Sequence, residues 1–383
     1  MMSGNGLPIA RLLGIEIRVS FTWAVLVSII TLLGAQQAAL TAPGLAAPVQ
    51  WLIGVAIAVG FLASVVAHEL AHALVGRRYG VESTTIVLGF VGGLAPLSIQ
   101  AQRPRDELAI ALSGPLLSLA VGGILLGLGV LDAVVAPGLG ALAGSLVVLG
   151  ALNVILAGIS LLPGMPLDGG RVVRALAWAR TNDRDRAGAV AARVGRLLGF
   201  TVIGVGVAMA LADLATEGLL VIALGWLLTT GARTLDRRLA LERLLRGVTV
   251  REAMEVDPPS VGPNLTVDTF ADRYEGPDAI PAMPVVDDEQ VLGIIGRRRL
   301  QRLGRRRFGS TRASDVMAVP PLAPVLTPDD PLWEALDTMN SGGIDGLAVA
   351  VEGRLAGMLT RDSVSQAVRS RAAADAARRA AGA

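Results

Sequence analysis

The residues best placed to do chemistry form the pattern His68-Glu69-x-x-His72, which lies inside a long apolar run. The two histidines are the only ones in the chain, and because residues four apart share one face of a helix, both imidazoles can reach one metal ion. Glu69 lies beside them, where its carboxylate can take a proton from a water molecule at that metal. Ionisable groups inside a membrane span are costly and usually functional. The pattern therefore predicts a zinc hydrolase site, and two polar residues satisfied in a helical core are the weaker alternative.

Zinc in a hydrolase is held by three protein ligands and keeps one position open for water. The chain contains no cysteine and no further histidine, so the third ligand has to be a carboxylate. Asp168 is the predicted ligand, because the two prolines and three glycines of residues 163–170 loosen the chain around it at the same depth as the histidines. The alternative is that Asp168 only caps a helix over residues 169–178.

Six apolar runs long enough to cross a bilayer surround these residues. Of the 383 residues, 52% are hydrophobic, and a membrane-spanning helix needs about 20 consecutive apolar residues. Composition and runs together predict a polytopic α-helical membrane protein in contact with the lipid bilayer, followed by a soluble α+β part. The predicted spans are residues 21–40, 51–75, 107–131, 139–162, 190–211 and 218–232.

Positive charge alternates along the loops between these spans. The chain contains no lysine, and loops 41–50, 132–138 and 212–217 carry no arginine, whereas the other loops do. Basic residues mark the cytoplasmic side, so the pattern predicts a multi-pass protein of a prokaryotic cell membrane with both termini in the cytoplasm. His68 and His72 precede Arg77 by nine and five residues. At 1.5 Å per residue, the metal would lie about 7–14 Å below the cytoplasmic edge of the membrane.

Two shorter segments near the histidines carry further structural information. Residues 81–101 are rich in β-branched residues and glycines, which predicts a hairpin. Such a hairpin is either a plain surface loop or an exposed strand that holds an extended substrate by strand addition. Ser113-Gly114-Pro115 interrupts the third span, which predicts close helix packing or a kink.

The soluble part of the chain repeats internally. Residues 249–254 resemble 312–317, and 284–296 resemble 346–360, so the period is about 63 residues. Each unit is predicted to contain a helix, strands and a second helix. The predicted domains are a membrane domain at 1–246, two repeats at 247–308 and 309–370, and a tail rich in alanine and arginine at 371–383.

The motifs of the membrane domain resemble the site-2 protease family of intramembrane zinc metalloproteases, peptidase family M50. The sequences HELAH at 68–72, SGP at 113–115 and PLDGGR at 166–171 carry the resemblance, which covers most of residues 50–180. It implies a three-helix catalytic core that binds one zinc ion per chain. The implied zinc ligands are His68, His72 and Asp168, and the implied general base is Glu69.

The chain departs from the family pattern at one position. Members usually carry an asparagine where Ser160 stands, and that asparagine is associated with holding the substrate or the developing oxyanion. Asn153 lies seven residues earlier, two turns away on the same helical face, and is the predicted substitute. Asn153 and Ser160 are therefore candidate substrate or oxyanion residues.

The repeats resemble a tandem pair of cystathionine-β-synthase (CBS) domains, which in other proteins often bind adenine nucleotides between the repeats. The usual nucleotide signature is Gly-x-x-Thr-x-x-Asp. At the Thr and Asp positions, the first repeat has Gly296 and Arg299, and the second has Thr360 and Ser363, with Asp362 adjacent. The resemblance implies either an adenine-nucleotide site that uses Thr360 and Asp362, or a module that forms a homodimer without any ligand.

Together these features predict an intramembrane zinc endopeptidase. Its cytoplasmic CBS domains are candidate regulators of its activity. Its predicted substrates are single-span membrane proteins, such as anti-sigma factors or membrane-bound transcription regulators, cut in or near the cytoplasmic end of their helix. One alternative is a CBS-gated ion transporter or channel with the same cluster as its ion site. Another is a relative that binds zinc without cleaving. The formal net charge of +2 is too small to predict nucleic-acid binding.

Overall fold

The computed structural model describes residues 6–81, 83, 85–89, 92–93, 101–135, 140–271, 282–320 and 323–381 of the chain. The chain divides into two compact units, Asn5–Leu239 and Ala240–Ala383. The first unit holds the apolar helices, and the second holds the internal repeats.

Six helices in the described part of the chain are long and apolar enough to cross a membrane, and they confirm the six predicted spans. They are α1 to α4, α6 and α7, whereas α5 is a shorter helix between the fourth and fifth spans. The elements in chain order are β1 Gly6–Leu12, β2 Ile15–Ser20, α1 Thr22–Thr41, α2 Ala47–Arg78, β3 Thr85–Gly89, β4 Gly92–Gly93, α3 Pro104–Val135, α4 Ala141–Ser160, α5 Asp168–Thr181, α6 Arg184–Leu211 and α7 Ala215–Leu245.

The fifth and sixth spans are longer in the structure than in the prediction. Helix α6 begins at Arg184, six residues before the predicted start, because the Asp183 side chain caps it by accepting a 3.0 Å hydrogen bond from the Arg186 amide. Helix α7 runs without a break through the arginine-rich stretch at 235–247 as far as Leu245. No proline lies between 215 and 245, so nothing ends the helix where its apolar run ends.

A four-stranded sheet of order β1-β2-β3-β4 packs on α1 and α2, and the sequence analysis did not predict its first two strands. Strand β2 pairs antiparallel with β1 and parallel with β3. Ile15 and Ile17 are buried in one core with Trp23 and Phe61, while Glu16 between them is partly exposed. This alternation of apolar and polar residues is the signal of a half-buried strand.

The hairpin predicted at 81–101 is present in the described residues as β3 and β4. Leu88 pairs with Gly93, and Gly89 pairs with Gly92. The indole Nε1 of Trp23 donates a 3.1 Å hydrogen bond to the Gly89 carbonyl, which ties the hairpin to the start of α1. The remaining residues of the prediction, 82, 84, 90–91 and 94–100, lie outside the described part.

The described strands of the second unit form a sheet of order β5-β6-β8-β7, to which each repeat contributes an antiparallel pair. Short 3-10 turns occur at Val250–Glu252 and Arg305–Ser310. The remaining elements are α8 Val267–Ala271, β5 Met283–Asp287, β6 Gln290–Ile295, α9 Arg297–Leu303, α10 Ala313–Val316, α11 Leu332–Gly342, β7 Gly346–Val351, β8 Arg354–Thr360 and α12 Arg361–Ala381.

The two repeats exchange backbone hydrogen bonds. Glu255 of the first repeat forms an antiparallel bridge with Met358 of β8, and Ala318 of the second repeat forms the equivalent bridge with Ile294 of β6. The core around the second repeat likewise includes Val250 of the first. The repeats therefore form one interlocked module, because each completes the sheet of the other.

Candidate metal centre

Three side chains from two helices meet inside the first unit. His68 and His72 lie one turn apart on α2, and Asp168 is the first residue of α5. The Nε2 atoms of the two histidines lie 3.2 Å apart, and Oδ2 of Asp168 lies 3.3 Å from each of them. These three residues, all in the described part of the chain, lie close enough together to hold a metal ion. The structure thus brings together the three residues predicted from the sequence as metal ligands.

The spacing of these three atoms fits a tetrahedral zinc ion. With bonds of about 2.0–2.1 Å, the ligand atoms of such a site lie about 3.3–3.4 Å from one another. The observed separations of 3.2, 3.3 and 3.3 Å form a nearly equilateral triangle of that size. Three protein ligands with one remaining vertex are the arrangement of a catalytic zinc site, whereas structural sites use four protein ligands.

The second nitrogen of each imidazole is hydrogen-bonded, and this orients the rings. Nδ1 of His72 lies 2.7 Å from the carbonyl oxygen of Ile110. A carbonyl only accepts, so Nδ1 carries the proton and Nε2 of His72 presents a lone pair to the other two ligand atoms. Nδ1 of His68 lies 2.9 Å from Oγ of Ser118. Acceptor atoms that converge in this way are stabilised by a cation between them.

One face of α3 holds both histidines in place. Ile110, Gly114 and Ser118 recur every four residues along that face. A Cβ atom at position 114 would contact Nε2 of both histidines, at 2.6 Å in the case of His68. Only glycine therefore leaves the ligand atoms accessible, which is the physical reason for the close packing predicted at Ser113-Gly114-Pro115.

Asp168 reaches the histidines because the start of α5 packs unusually closely on the turn before it. The N-cap position belongs to Leu167, so Asp168 lies inside the first turn, and its carboxylate contacts the histidines instead of capping the helix. A Cβ at Gly169 would contact the Leu161 carbonyl, and one at Gly170 would lie 2.6 Å from the backbone nitrogen of Met165. The two glycines after Asp168 thus permit the approach that places it in the centre.

Glu69 follows His68 on α2 and is half-buried. It interacts electrostatically with His72 and with Arg171 of α5. The predicted base therefore lies beside the three converging atoms without being one of them.

Asn153 and Ser160 use their donors elsewhere. The side-chain nitrogen of Asn153, which is fully buried, donates to Oγ of Ser64 at 3.1 Å and to the Leu149 carbonyl at 2.9 Å. Oγ of Ser160 donates to the Leu156 carbonyl at 2.7 Å. All their donor hydrogens are engaged, so neither residue offers one to a developing oxyanion in this conformation.

The candidate nucleotide residues lie in the second unit. Oγ1 of Thr360 donates to Oε1 of Glu255 at 2.7 Å, and Asp362 is exposed in the first turn of α12. In the first repeat, Nη1 of Arg299 donates to the Met317 carbonyl at 2.7 Å. The two repeats therefore differ in charge around the signature positions, with a carboxylate beside Thr360 in the second repeat and a backbone-bonded guanidinium at Arg299 in the first.

Three polar residues that the structure places around the metal centre were not predicted from the sequence. Ser118 contacts His68, and Glu107 of α3 forms a buried ion pair with Arg174 of α5. Glu107, Gly114 and Ser118 are seven and four residues apart, a spacing that lies on one helical face. Polar residues that share one helical face in an apolar span are the signal from which Glu107 and Ser118 could have been predicted.

A metal-binding triad among six membrane-spanning helices, joined to a pair of α/β repeats, defines a multi-pass membrane protein equipped for metal-dependent hydrolysis. The model of peptidase family M50 matches residues 56–138, and the CBS domain model matches residues 250–305 and 313–370. The chain belongs to peptidase family M50, of the site-2 protease type with a C-terminal CBS pair. It is a zinc metalloprotease of that family, which confirms the enzyme prediction over the ion-transporter alternative.

Several relatives match nearly the whole chain. Rip3 of Mycobacterium tuberculosis, assigned as a zinc metalloprotease, is 32% identical over 371 residues, which cover 95% of this chain and 93% of Rip3. The similarly assigned protein sll0528 of Synechocystis is 28% identical over 375 residues, covering 96% of this chain and 97% of that protein. The solved site-2 protease from Methanocaldococcus jannaschii is 25% identical, with a TM-score of 0.40 over 60% of this chain and 94% of that one.

Proposed function

We propose that this protein hydrolyses a peptide bond of a membrane-embedded substrate at one zinc ion held by His68, His72 and Asp168. The observation that carries the proposal is the triangle of three acceptor atoms with sides of 3.2–3.3 Å. Its size and its ligand types suit zinc, and its three-residue composition suits catalysis.

Zinc, when bound, supplies Lewis acidity to a water molecule and to the scissile carbonyl. Glu69 takes a proton from the attacking water as the water oxygen bonds to the carbonyl carbon. The same carboxylate then gives that proton to the amine nitrogen as the C–N bond breaks. Ile110 and Ser118 keep the imidazoles oriented throughout, because each engages an Nδ1 atom.

Substrates of this centre are proposed to be single-span membrane proteins of the anti-sigma factor or membrane-bound regulator type. The ligands lie within or next to membrane-spanning helices, so the scissile bond must itself reach membrane depth. Backbone groups of a helix are bonded to one another, so the substrate must unwind before it is cut. Among the described strands, β4 lies at one end of its sheet, and we propose that an extended substrate segment pairs with its outer edge.

The arginine pattern supports a topology with both termini in the cytoplasm, which would place the CBS pair on the cytoplasmic side. An adenine nucleotide bound near Thr360 and Asp362, or homodimer formation through the pair, would then control proteolysis. The Thr360 hydroxyl donates to the Glu255 carboxylate, and that carboxylate is an acceptor suited to the hydroxyls of a ribose. A ligand changes the rate only through its different affinity for open and closed states.

The regulatory proposal is tested by cleavage rate against ATP and AMP concentration, in the full-length protein and in a truncation ending at Arg246. Regulation predicts that only the full-length protein responds, and that Thr360→Val abolishes the response while basal cleavage persists. An identical response of both proteins, or no response in either while the truncation cleaves normally, would show that the pair is only an assembly module.

The remaining alternative is a family member that binds zinc without cleaving a substrate. The observation that favours it is Ser160, which stands where members of the family usually carry an asparagine. Co-expression with candidate single-span substrates separates the two possibilities when wild type is compared with Glu69→Gln. Proteolysis predicts a shortened product from wild type alone. Zinc-loaded wild-type protein that yields no product from any candidate would favour the silent relative.

A further inference from the structure

We propose that the buried ion pair between Glu107 and Arg174 is a positioning device that holds Asp168 in the metal centre. The inference rests on the proposed function, because it assigns the pair a role towards a zinc ligand. Nε of Arg174 donates to Oε1 of Glu107 at 2.6 Å, and Nη2 contacts the same oxygen. Glu107 is 1% exposed and Arg174 is 7% exposed.

Because the ion pair is buried, its contribution to the free energy of folding does not by itself explain its presence. Removing two charges from water costs free energy that their attraction repays only in part, and apolar residues of similar size usually pack as stably. Among membrane-spanning helices, charged side chains are costlier still and are usually functional. A role in positioning accounts for the pair, because an ion pair fixes direction and distance where apolar contacts allow sliding.

The pair joins the two helices whose relative position defines the metal centre. Glu107 lies on α3 one turn before Ile110, whose carbonyl orients His72. Arg174 lies on α5, six residues after Asp168. The ion pair thereby links α3, which orients the histidines, to α5, which carries the third predicted ligand. The link lies close to the Ile110 carbonyl on α3 and to Asp168 on α5.

Arg171 extends this link to Asp168 itself. Nη1 of Arg171 lies 4.0 Å from Oδ1 of Asp168, whereas Oδ2 faces the histidines. Arg171 is also attracted by Glu107, although its Nε has no hydrogen-bond partner among the described residues. The carboxylates of Asp168 and Glu107 thus lie close to two guanidiniums, and one oxygen of Asp168 faces an arginine while the other faces the metal centre.

The test replaces the pair without leaving a buried charge, by combining Glu107→Met with Arg174→Met in the full-length protein. Zinc affinity is measured by competition with a chelator, and thermal unfolding is measured on metal-free protein. We expect zinc affinity to fall about tenfold or more, as is usual when partners of metal ligands are lost, with unfolding close to wild type. Wild-type zinc affinity in this variant would overturn the proposal.

A second ion pair between two helices, used as a control, and a double-mutant cycle separate positioning from general damage. The ion pair between Arg196 and Asp236, on α6 and α7, serves as the control, and replacing both residues with Met should leave zinc affinity unchanged. In an Asp168→Asn background, replacing the Glu107–Arg174 pair should weaken binding no further, because the ligand that it positions is already impaired. Losses that multiply in that background would contradict an effect through Asp168.

Two further outcomes keep the inference distinct from the proposed function. Should the paired replacement not fold, Arg174→Lys keeps the charge but loses the fork of donors, and it should still weaken zinc binding. Wild-type affinity in that variant would also overturn the proposal. Wild-type zinc affinity in Asp168→Asn would instead remove the ligand assignment on which the inference rests.

Discussion

The carbonyl oxygen of Ile110 accepts a 2.7 Å hydrogen bond from Nδ1 of His72, although the two residues lie 38 positions apart in the chain. The bond joins α3 to α2 and determines which nitrogen of the ring faces the other ligands. The orientation of the His72 ring therefore depends on a backbone group of a helix that contributes none of the three converging side chains. Substitutions along that face of α3 should change zinc binding without touching any of the three ligands.

Gly114→Ala should abolish zinc binding and cleavage. The added methyl group would contact Nε2 of both histidines and occupy the space between the ligand atoms. Zinc content after purification and cleavage rate measure the effect. Gly123→Ala on the same helix is the matched control, because no atom lies within 4 Å of its Cβ position. Zinc retained at wild-type level in Gly114→Ala would contradict the geometry described for α3.

Ser118→Ala should weaken zinc affinity by about tenfold or more, because partners of a metal-bound imidazole keep it oriented and raise its basicity. The measurement is competition with a chelator. Ser145→Ala on α4 is the control, since that hydroxyl donates only to its own helix at Ala141. Equal affinities in the two variants would mean that the contact between Ser118 and His68 is incidental.

Purified protein should contain about one zinc ion per chain, which metal analysis can determine. His72→Ala should remove it, because two remaining ligands do not hold zinc firmly. Asp168→Asn should retain it poorly, since the neutral amide loses the charge that holds a dication in low dielectric. Unchanged zinc in His72→Ala would exclude this site as the one that binds the metal.

Truncation after residue 308 should leave the first CBS repeat unfolded. The bridge from Ala318 to Ile294 and the core residues of the second repeat would be lost together. Limited proteolysis should then remove residues beyond about 246, while the intact chain resists. Truncation at Arg246 is the control, because it deletes the whole interlocked module. A protease-resistant first repeat would show that the repeats fold independently.

Local patterns in the sequence predicted much of the metal centre. The spacing of His68 and His72 indicated a shared helical face, and the absence of cysteine and other histidines left a carboxylate for the third ligand. The six spans followed from run length, because bilayer thickness sets a minimum number of apolar residues. Each of these inferences depends on residues that are close together in the sequence or on composition alone.

Contacts between distant parts of the chain were not predictable in the same way. Glu107 and Arg174 are 67 residues apart, and nothing near either residue identifies its partner. Spacing from Ser160 predicts Asn153 as a substrate or oxyanion residue, but nothing near Asn153 in the sequence shows that its amide donates to Ser64 on another helix. Strand β2 carried a local signal that the neighbouring apolar span obscured. Which distant residues come into contact is decided by how the helices pack against one another, and the local sequence does not specify that packing.

The role of Glu69 as the catalytic base is decided by comparing Glu69→Gln with wild type. Glutamine has almost the same shape but cannot accept a proton at neutral pH, and the side chain is not one of the three converging ligands. Cleavage of a single-span substrate and zinc content should be measured on the same purified samples of wild type and variant. If Glu69 is the base, the variant keeps its zinc and shows no detectable cleavage; cleavage at a rate near wild type would rule out this role.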